Sequence, residues 1–393
     1  MIFIKIIKSI YLIINLFIQH NYTFILYFAI KYINFNNMYN KKFIVIFLCP
    51  LILHAQQQIA KTLFFDGQER EYILYIPSSY SATSEFPVLF SFHGGSGYAE
   101  DFIYTNDMRP IADTANFIAV YPQGAIDPDG GTTSWIHKAP TDHDDIFFIE
   151  AIIEDLSIDY LIDQSRVYAC GYSEGAIFSY ELACRLNHKI AAFVAVSGSM
   201  LADYYRSDIY KWAPCNPIHP TAMMLIPGTN DDNPHSNYDG FSYYDLPLYM
   251  SVDEITSYWS SYNNTDISPV LIELPNVNTF DGSTVERYSW LNGDECVSVE
   301  ELKIINGGHD WPGSFGNMDI NASQEIWNFV SQYNINGAIN CNTNSSIEAI
   351  DISHNKFCVK RIDLLGRLYK GQSDTFSIYI YNDGTVEKKY IID

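Results

Sequence analysis

Gly171-Tyr172-Ser173-Glu174-Gly175 spells G-x-S-x-G between an apolar run ending at Cys170 and a helical stretch opening near Gly175. A serine on a sharp strand-to-helix turn holds its hydroxyl clear, and glycines on either side let strand and helix approach without Cβ clashes. The N-terminus of the following helix directs positive charge to the same point. The chemistry this serves is nucleophilic attack on a carbonyl. The hydroxyl needs a base, and the base needs a carboxylate to orient it. Behind such a turn the chain order is Ser, Asp, His. His309 fits the base: Gly307-Gly308 before it and Pro312-Gly313 after it form a tight loop beyond an alternating strand. His188, His219, His235 and His354 have no strand-end glycines beside them. Asp231, just past the apolar run 221–226, fits the acid, and spacing alone does not exclude Asp232 next to it.

The tetrahedral intermediate of such an attack carries an oxyanion, which needs preorganised N–H donors. One is expected from the backbone N–H of Glu174, the residue after the nucleophile. The other is expected from His93-Gly94-Gly95-Ser96-Gly97, where glycines let backbone approach substrate closely; Gly94 and Gly95 are equal candidates. That loop lacks the lysine of a P-loop and the register of a dinucleotide fingerprint. Trp311, two residues from His309, and Trp135 are candidates to stack on an aryl or sugar group, with core packing as the competing role. Asp142-His143-Asp144-Asp145 looks metal-like but sits where acids favour a helix start, so no metal and no cofactor is expected.

These residues need a scaffold, and the pattern supplies one. YILYIP (72–77), PVLFSF (87–92), FIAVYP (117–122), RVYACG (166–171), AAFVAVSG (191–198) and TAMMLIPG (221–228) are apolar runs of strand length, and VSVEELKII (297–305) alternates. Helical spacing separates them at 107–117, 145–161, 175–186, 252–262 and 322–333. Continuous apolar strands are buried on both faces, and their alternation with helices predicts a doubly wound, mostly parallel α/β sheet with helices on both faces. Gly-rich loops at strand C-termini are where such sheets place ligand sites.

Composition bounds the rest. The chain has 393 residues, 48% of them hydrophobic and 18% charged, which excludes a disordered chain. A formal net charge of −23 argues against nucleic acid as a partner. Residues 1–55 carry five lysines and no acid, so subtracting those charges from −23 leaves −28 on the remainder. Lys41-Lys42, the eleven apolar residues Phe43 to Leu53 and His54-Ala55 read as a signal peptide over 38–55, since a membrane span takes about 20 residues. Residues 1–37 read as a doubtful upstream extension, with a membrane anchor as the other reading of their apolar runs.

Six cysteines follow the signal segment. Cys170 and Cys184 read as core thiols, and Cys215 and Cys296, flanking loops, as a disulfide. Residues 56–338 are expected to form the catalytic domain, 339–357 an Asn- and Ser-rich linker, and 358–393 a small C-terminal segment. There SIYIY and VEKKYII flank Asn382-Asp383-Gly384 in a hairpin pattern.

HGG (93–95), YPQG (121–124), SRVYACGYSEGA (165–176), Gly228-Thr229-Asn230-Asp231 and GGHDWPG (307–313) together resemble the secreted polyhydroxybutyrate-depolymerase-type esterases, a family that includes feruloyl and acetylxylan esterases. The resemblance covers roughly residues 60–335, with five elements in the family's order. It implies an α/β-hydrolase fold, with Ser173 as nucleophile, Asp231 as acid and His309 as base. The chain departs from the family's pattern at Glu174, usually Asn, Gln or Ala; at Ala176, usually Gly; and at Pro227, usually His. A Glu174 carboxylate near the pocket would disfavour anionic acyl groups. The elements IDLLGR (362–367) and YIYNDGTVEKK resemble a short C-terminal sorting signal of the type IX secretion system, which implies export machinery as a partner and an extracellular or cell-surface location.

The expected function is a secreted serine carboxylic-ester hydrolase acting on feruloyl or acetyl esters of plant polysaccharide or on polyester. The alternatives are a serine peptidase of prolyl-oligopeptidase type and a catalytically inactive carbohydrate-binding or adhesion protein.

Overall fold

A computed structural model describes residues 57–127, 130–136 and 145–341, and the backbone of five further strands: Ile25–Tyr32, Ile44–Leu51, Cys358–Ile362, Phe376–Tyr381 and Val386–Tyr390. The chain divides into two compact units, 1–341 and 342–393.

The first unit is built on a ten-stranded sheet. Its strands are β1 (Gln57–Phe65), β2 (Gln68–Ile76), β3 (Phe86–Phe92), β4 (Ile118–Pro122), β5 (Ile162–Tyr172), β6 (Ala192–Val196), β7 (Ala222–Ile226), β8 (Val270–Glu273), β9 (Thr284–Trp290) and β10 (Val299–Ile305). Across the sheet the order is β8-β9-β10-β7-β6-β5-β3-β4-β2-β1. The stretch from β4 to β10 is parallel throughout, and the strands outside it run antiparallel to their neighbours.

Helices α1 (Ala99–Thr105), α2 (Arg109–Ala115), α3 (Asp145–Asp159), α4 (Glu174–Arg185), α5 (Val252–Tyr262) and α6 (Ala322–Val330) cover both faces. Period-2 alternation sorts each strand between two cores. Phe90, Phe92 and Ala169 face α3, α4 and α5, whereas Leu89, Tyr168 and Cys170 face α1, α2 and α6. This is the α/β-hydrolase fold that the resemblance implied.

Two buried ion pairs hold helices in place: Arg70 of β2 with Asp145 at the start of α3 at 2.6 Å, and Arg206 of the helical turn Tyr205–Ile209 with Glu181 of α4 at 2.9 Å. Of the metal-like run 142–145, only Asp145 lies among the described residues, and its charge is spent on Arg70. No group among the described residues is arranged to hold a metal ion, and none of their helices is long and apolar enough to cross a membrane.

The cysteine reading needs correction. Cys184 is bonded to Cys215, and Cys296 to Cys341; Cys170 alone of those read as core thiols is a buried free thiol. Helical periodicity marked Cys184 as buried, but it sits in the last turn of α4, where the chain around Cys215 packs. The bond to Cys341 carries the first unit past residue 338, so residues 339–341 belong to it and not to the linker. The rest of that linker, 342–357, lies outside the described residues. In the second unit Phe376–Tyr381 and Val386–Tyr390 pair antiparallel, as the hairpin pattern predicts, and Cys358–Ile362 adds a third strand. Of the residues read as a signal peptide, Ile44–Leu51 is extended and pairs antiparallel with Ile25–Tyr32.

Candidate active site

Ser173 stands between the end of β5 and the start of α4 with φ +56° and ψ −119°, a conformation a non-glycine residue adopts only under constraint. The constraint comes from its neighbours. The Ser173 N–H donates to the Val196 carbonyl at the end of β6 at 2.9 Å. A Cβ on Gly171 would stand 2.1 Å from the Gly175 carbonyl oxygen, and one on Gly175 would stand 2.3 Å from the Phe92 carbonyl oxygen. The two glycines of the motif are therefore steric requirements of the turn. Ala176 fits where the family pattern has glycine because Gly198 faces it: a Cβ at 198 would lie 2.6 Å from the Ala176 Cβ.

The loops after β7 and β10 interlock. Thr229 and Asn230 donate their N–H groups to the Ile304 and Gly307 carbonyls at 3.0 and 2.8 Å, and Ile304 donates to the Pro227 carbonyl at 2.9 Å. This brings His309 Nδ1 to 2.7 Å from Oδ2 of Asp231, whose side chain is fully buried. Asp232 is exposed, so of the two adjacent aspartates Asp231 is the one that reaches the imidazole. The carboxylate fixes the proton on Nδ1 and leaves Nε2 to face reactants. The buried Ser236 hydroxyl lies 3.0 Å from the same Nδ1.

Two hydroxyls clamp the histidine loop from the sheet. Tyr172 donates to the His309 carbonyl and Ser197 to the Asp310 carbonyl, each at 2.8 Å. The Tyr172 ring lies 4.9 Å from the His309 ring. Among the described residues the Ser173 hydroxyl makes no hydrogen bond to His309; the two are held in one neighbourhood by Tyr172, which precedes the serine and touches the ring. Catalytic hydrogen bonds are often long in unliganded sites and tighten when substrate binds.

The glycine loop 94–97 lies against this turn. A Cβ on Gly94 would stand 3.3 Å from the Ser173 Cβ, and one on Gly95 would stand 2.9 Å from Glu174 Oε2. His93 anchors the loop with a buried ring. Its Nδ1 donates to the Gly94 carbonyl at 2.7 Å, and its Nε2 accepts from the Gly124 N–H at 3.0 Å. Burial pushes this imidazole down to about 4, so it is neutral at physiological pH. Gln123 completes the frame, donating to His93 Nε2 at 3.1 Å and accepting from the Ala99 N–H at the start of α1 at 2.9 Å. The HGG and YPQG strings are thus two halves of one hydrogen-bonded unit.

Beside the loop opens a cavity of about 370 Å³ lined by Tyr98, Phe102, Tyr172 and Phe315 with the loop glycines. Here the assignment of Trp135 and Trp311 as stacking residues is corrected. Trp135 is 3% exposed, donates from Nε1 to the His93 carbonyl at 2.7 Å and stacks on Phe178. Trp311 is 1% exposed and packs edge-on against Phe102 and Tyr172. Each ring belongs to one of the two cores, Trp135 to that of Phe92 and Phe178 and Trp311 to that of Phe102. The rings open to the cavity are Tyr98, 52% exposed, and Phe315, 41% exposed. Neither stood in a pattern that marked it; Phe315 could have been found only by its place four residues after Trp311 in the histidine loop.

No family model matches the chain. It is 25% identical over 279 residues, 71% of its length, to a bifunctional acetylxylan esterase/xylanase of Neocallimastix patriciarum, of which it covers 35%. It is 29% identical over 136 residues, 34% of its length, to feruloyl esterase C of Emericella nidulans, of which it covers 48%. The chain thus spans roughly a third to a half of these curated relatives. Among solved structures it is similar to an acetyl xylan esterase from Aspergillus awamori, with a TM-score of 0.49 and 14% identity, covering 70% of this chain and 99% of that one. By sequence the chain is similar to the acetylxylan and feruloyl esterases, and its sheet carries a serine turn, an aspartate–histidine pair and a glycine loop at one place.

Proposed function

We propose that this chain is a serine carboxylic-ester hydrolase working through an acyl-enzyme. The observation that carries the reading is the Asp231–His309 pair at 2.7 Å beside a serine held at φ +56°. Ser173 Oγ attacks the ester carbonyl carbon while His309 Nε2 takes its proton, and Asp231 keeps the imidazole in the Nδ1–H tautomer. The carbonyl oxygen becomes an oxyanion and accepts hydrogen bonds from the Glu174 N–H and from Gly94 or Gly95. The C–O bond to the alcohol breaks as His309 returns the proton to the leaving oxygen. Water, deprotonated by His309 in its turn, attacks the acyl-enzyme, and the acid leaves as Ser173 recovers its proton.

The names of the relatives support acetyl or feruloyl esters of plant polysaccharide as substrates. A polyhydroxyalkanoate-type polyester presents the same bond and is the second substrate class. In this reading the enzyme works outside the cell, exported through residues 38–55 and sorted through the segment 358–393.

Turnover of p-nitrophenyl acetate is expected to fall about a thousandfold or more in Ser173→Ala. A fluorophosphonate probe is expected to label the parent chain and not the variant. Unchanged turnover in the variant would refute the mechanism. Rates on methyl ferulate, acetylated xylan and short-chain polyhydroxybutyrate separate the substrate classes.

A further inference from the structure

Glu174 follows the nucleophile, and its side chain is not spent on solvent. Oε1 accepts from the Ser134 hydroxyl at 2.5 Å and from the Ile136 N–H at 3.2 Å. Its other oxygen fronts Gly95, 2.9 Å from where a Cβ there would stand. Ser134 and Ile136 belong to the second arm of a small hairpin in which Ala125–Ile126 pairs with Thr133–Ser134.

That arm also holds the glycine loop. The Ser96 N–H donates to the Thr133 carbonyl at 2.8 Å, and the Thr133 hydroxyl donates to the Gly97 carbonyl at 2.6 Å. Two residues on, Trp135 donates from Nε1 to the His93 carbonyl at 2.7 Å. Residues 133–136 therefore grip the glycine loop on one side and the Glu174 carboxylate on the other. The two groups expected as oxyanion donors, the N–H of Glu174 and that of Gly94 or Gly95, belong to the residue and the loop that this arm joins.

We propose that the Glu174 side chain is a positioning residue that sets the spacing between the two oxyanion donors through the hairpin arm 133–136. The inference rests on the ester-hydrolase reading. Donors aimed at an oxyanion act only when charge develops on that oxygen, so a small displacement lowers kcat and leaves ground-state binding almost untouched. Alanine or glycine at position 174 would leave Ser134 Oγ and the Ile136 N–H without this acceptor. Glutamine keeps an acceptor oxygen for Ser134 and Ile136 and replaces the charged second oxygen by a neutral amide nitrogen, so it separates a tie through Oε1 from an electrostatic effect on the acyl group.

The test uses the full chain and three variants: Glu174→Ala, Glu174→Gln and Ser134→Ala. With p-nitrophenyl acetate, Glu174→Ala is expected to lower kcat by about tenfold to a hundredfold with KM within about threefold. Its affinity for a trifluoromethyl ketone, which forms a tetrahedral adduct on the serine, is expected to fall by the same factor. Glu174→Gln recovers most of that loss, and Ser134→Ala, which removes one of the two donors to Oε1, shows part of it. Unchanged kcat in Glu174→Ala, a loss confined to KM, or Glu174→Gln as impaired as Glu174→Ala would each overturn the tie. A parent chain that neither turns over the ester nor reacts with a fluorophosphonate sinks the hydrolase reading, and the tie with it. An active parent with an unaffected Glu174→Ala variant overturns the tie alone.

Discussion

At the scale of single residues, the histidine tautomer and the fate of the aromatic rings decide most. Asp231→Asn keeps the shape of the acid but loses an anionic acceptor for Nδ1–H, so imidazole is free to take the wrong tautomer. An initial-rate assay on p-nitrophenyl acetate is expected to show kcat down about a thousandfold or more with Tm little changed. Trp311 and Phe315 are neighbours with opposite duties. Trp311→Ala opens a hole in the core and is expected to cost about 3–5 kcal/mol in urea unfolding. Phe315→Ala, at the cavity mouth, is expected to cost less than about 1 kcal/mol and to raise KM for methyl ferulate. A Trp311 variant of parent stability would show that the ring is not core. Ser173, Asp231 and His309 could be proposed from sequence because each follows a strand end with a glycine close by, a local signal. The clamps from Tyr172 and Ser197 could not, because a hydroxyl's partner depends on which carbonyl another loop brings near it.

At the scale of elements, the glycine loop between β3 and α1 depends on a neutral His93. Its folded value of about 4 lies below the ordinary 6.5 because the ring is buried. The unfolded chain therefore binds a proton near pH 6.5 that the folded chain refuses until about pH 4, and stability falls as pH drops through that window. The loss from this group is about 3 kcal/mol and adds nothing below the lower value. Urea unfolding at pH 7.5 and 4.5 is expected to reveal it, and His93→Gln is expected to flatten the dependence; an equally steep variant would assign it to other groups. The strands β3 to β7 and β10 and the helices α3 to α6 fall close to where apolar runs and helical spacing put them. β8 and β9 escaped notice: β8 is exposed on both faces, and β9 interleaves charged and polar residues, so neither presents a buried run. The seven residues of α1 span barely two turns, too few for a period to show.

At the scale of the whole molecule, two disulfides among the described residues close loops of 31 and 45 residues. In the chain-entropy model each restricts the unfolded ensemble by about 3–4 kcal/mol. Cys296→Ser is expected to lower the urea midpoint accordingly, and a strong reductant should not lower it further for that loop. A variant as stable as the parent would show that the chain around Cys341 is held by packing alone.

The sequence by itself determined the class of sheet and singled out the three side chains proposed for the chemistry, because apolar period and strand-end glycines are local properties of the chain. The pairing of cysteines, the choice of Asp231 over Asp232, the burial of both tryptophans and the bridge from Glu174 to the glycine loop were decided only by tertiary structure. Each depends on which distant segments the sheet order sets side by side, and a one-dimensional pattern carries no record of that adjacency.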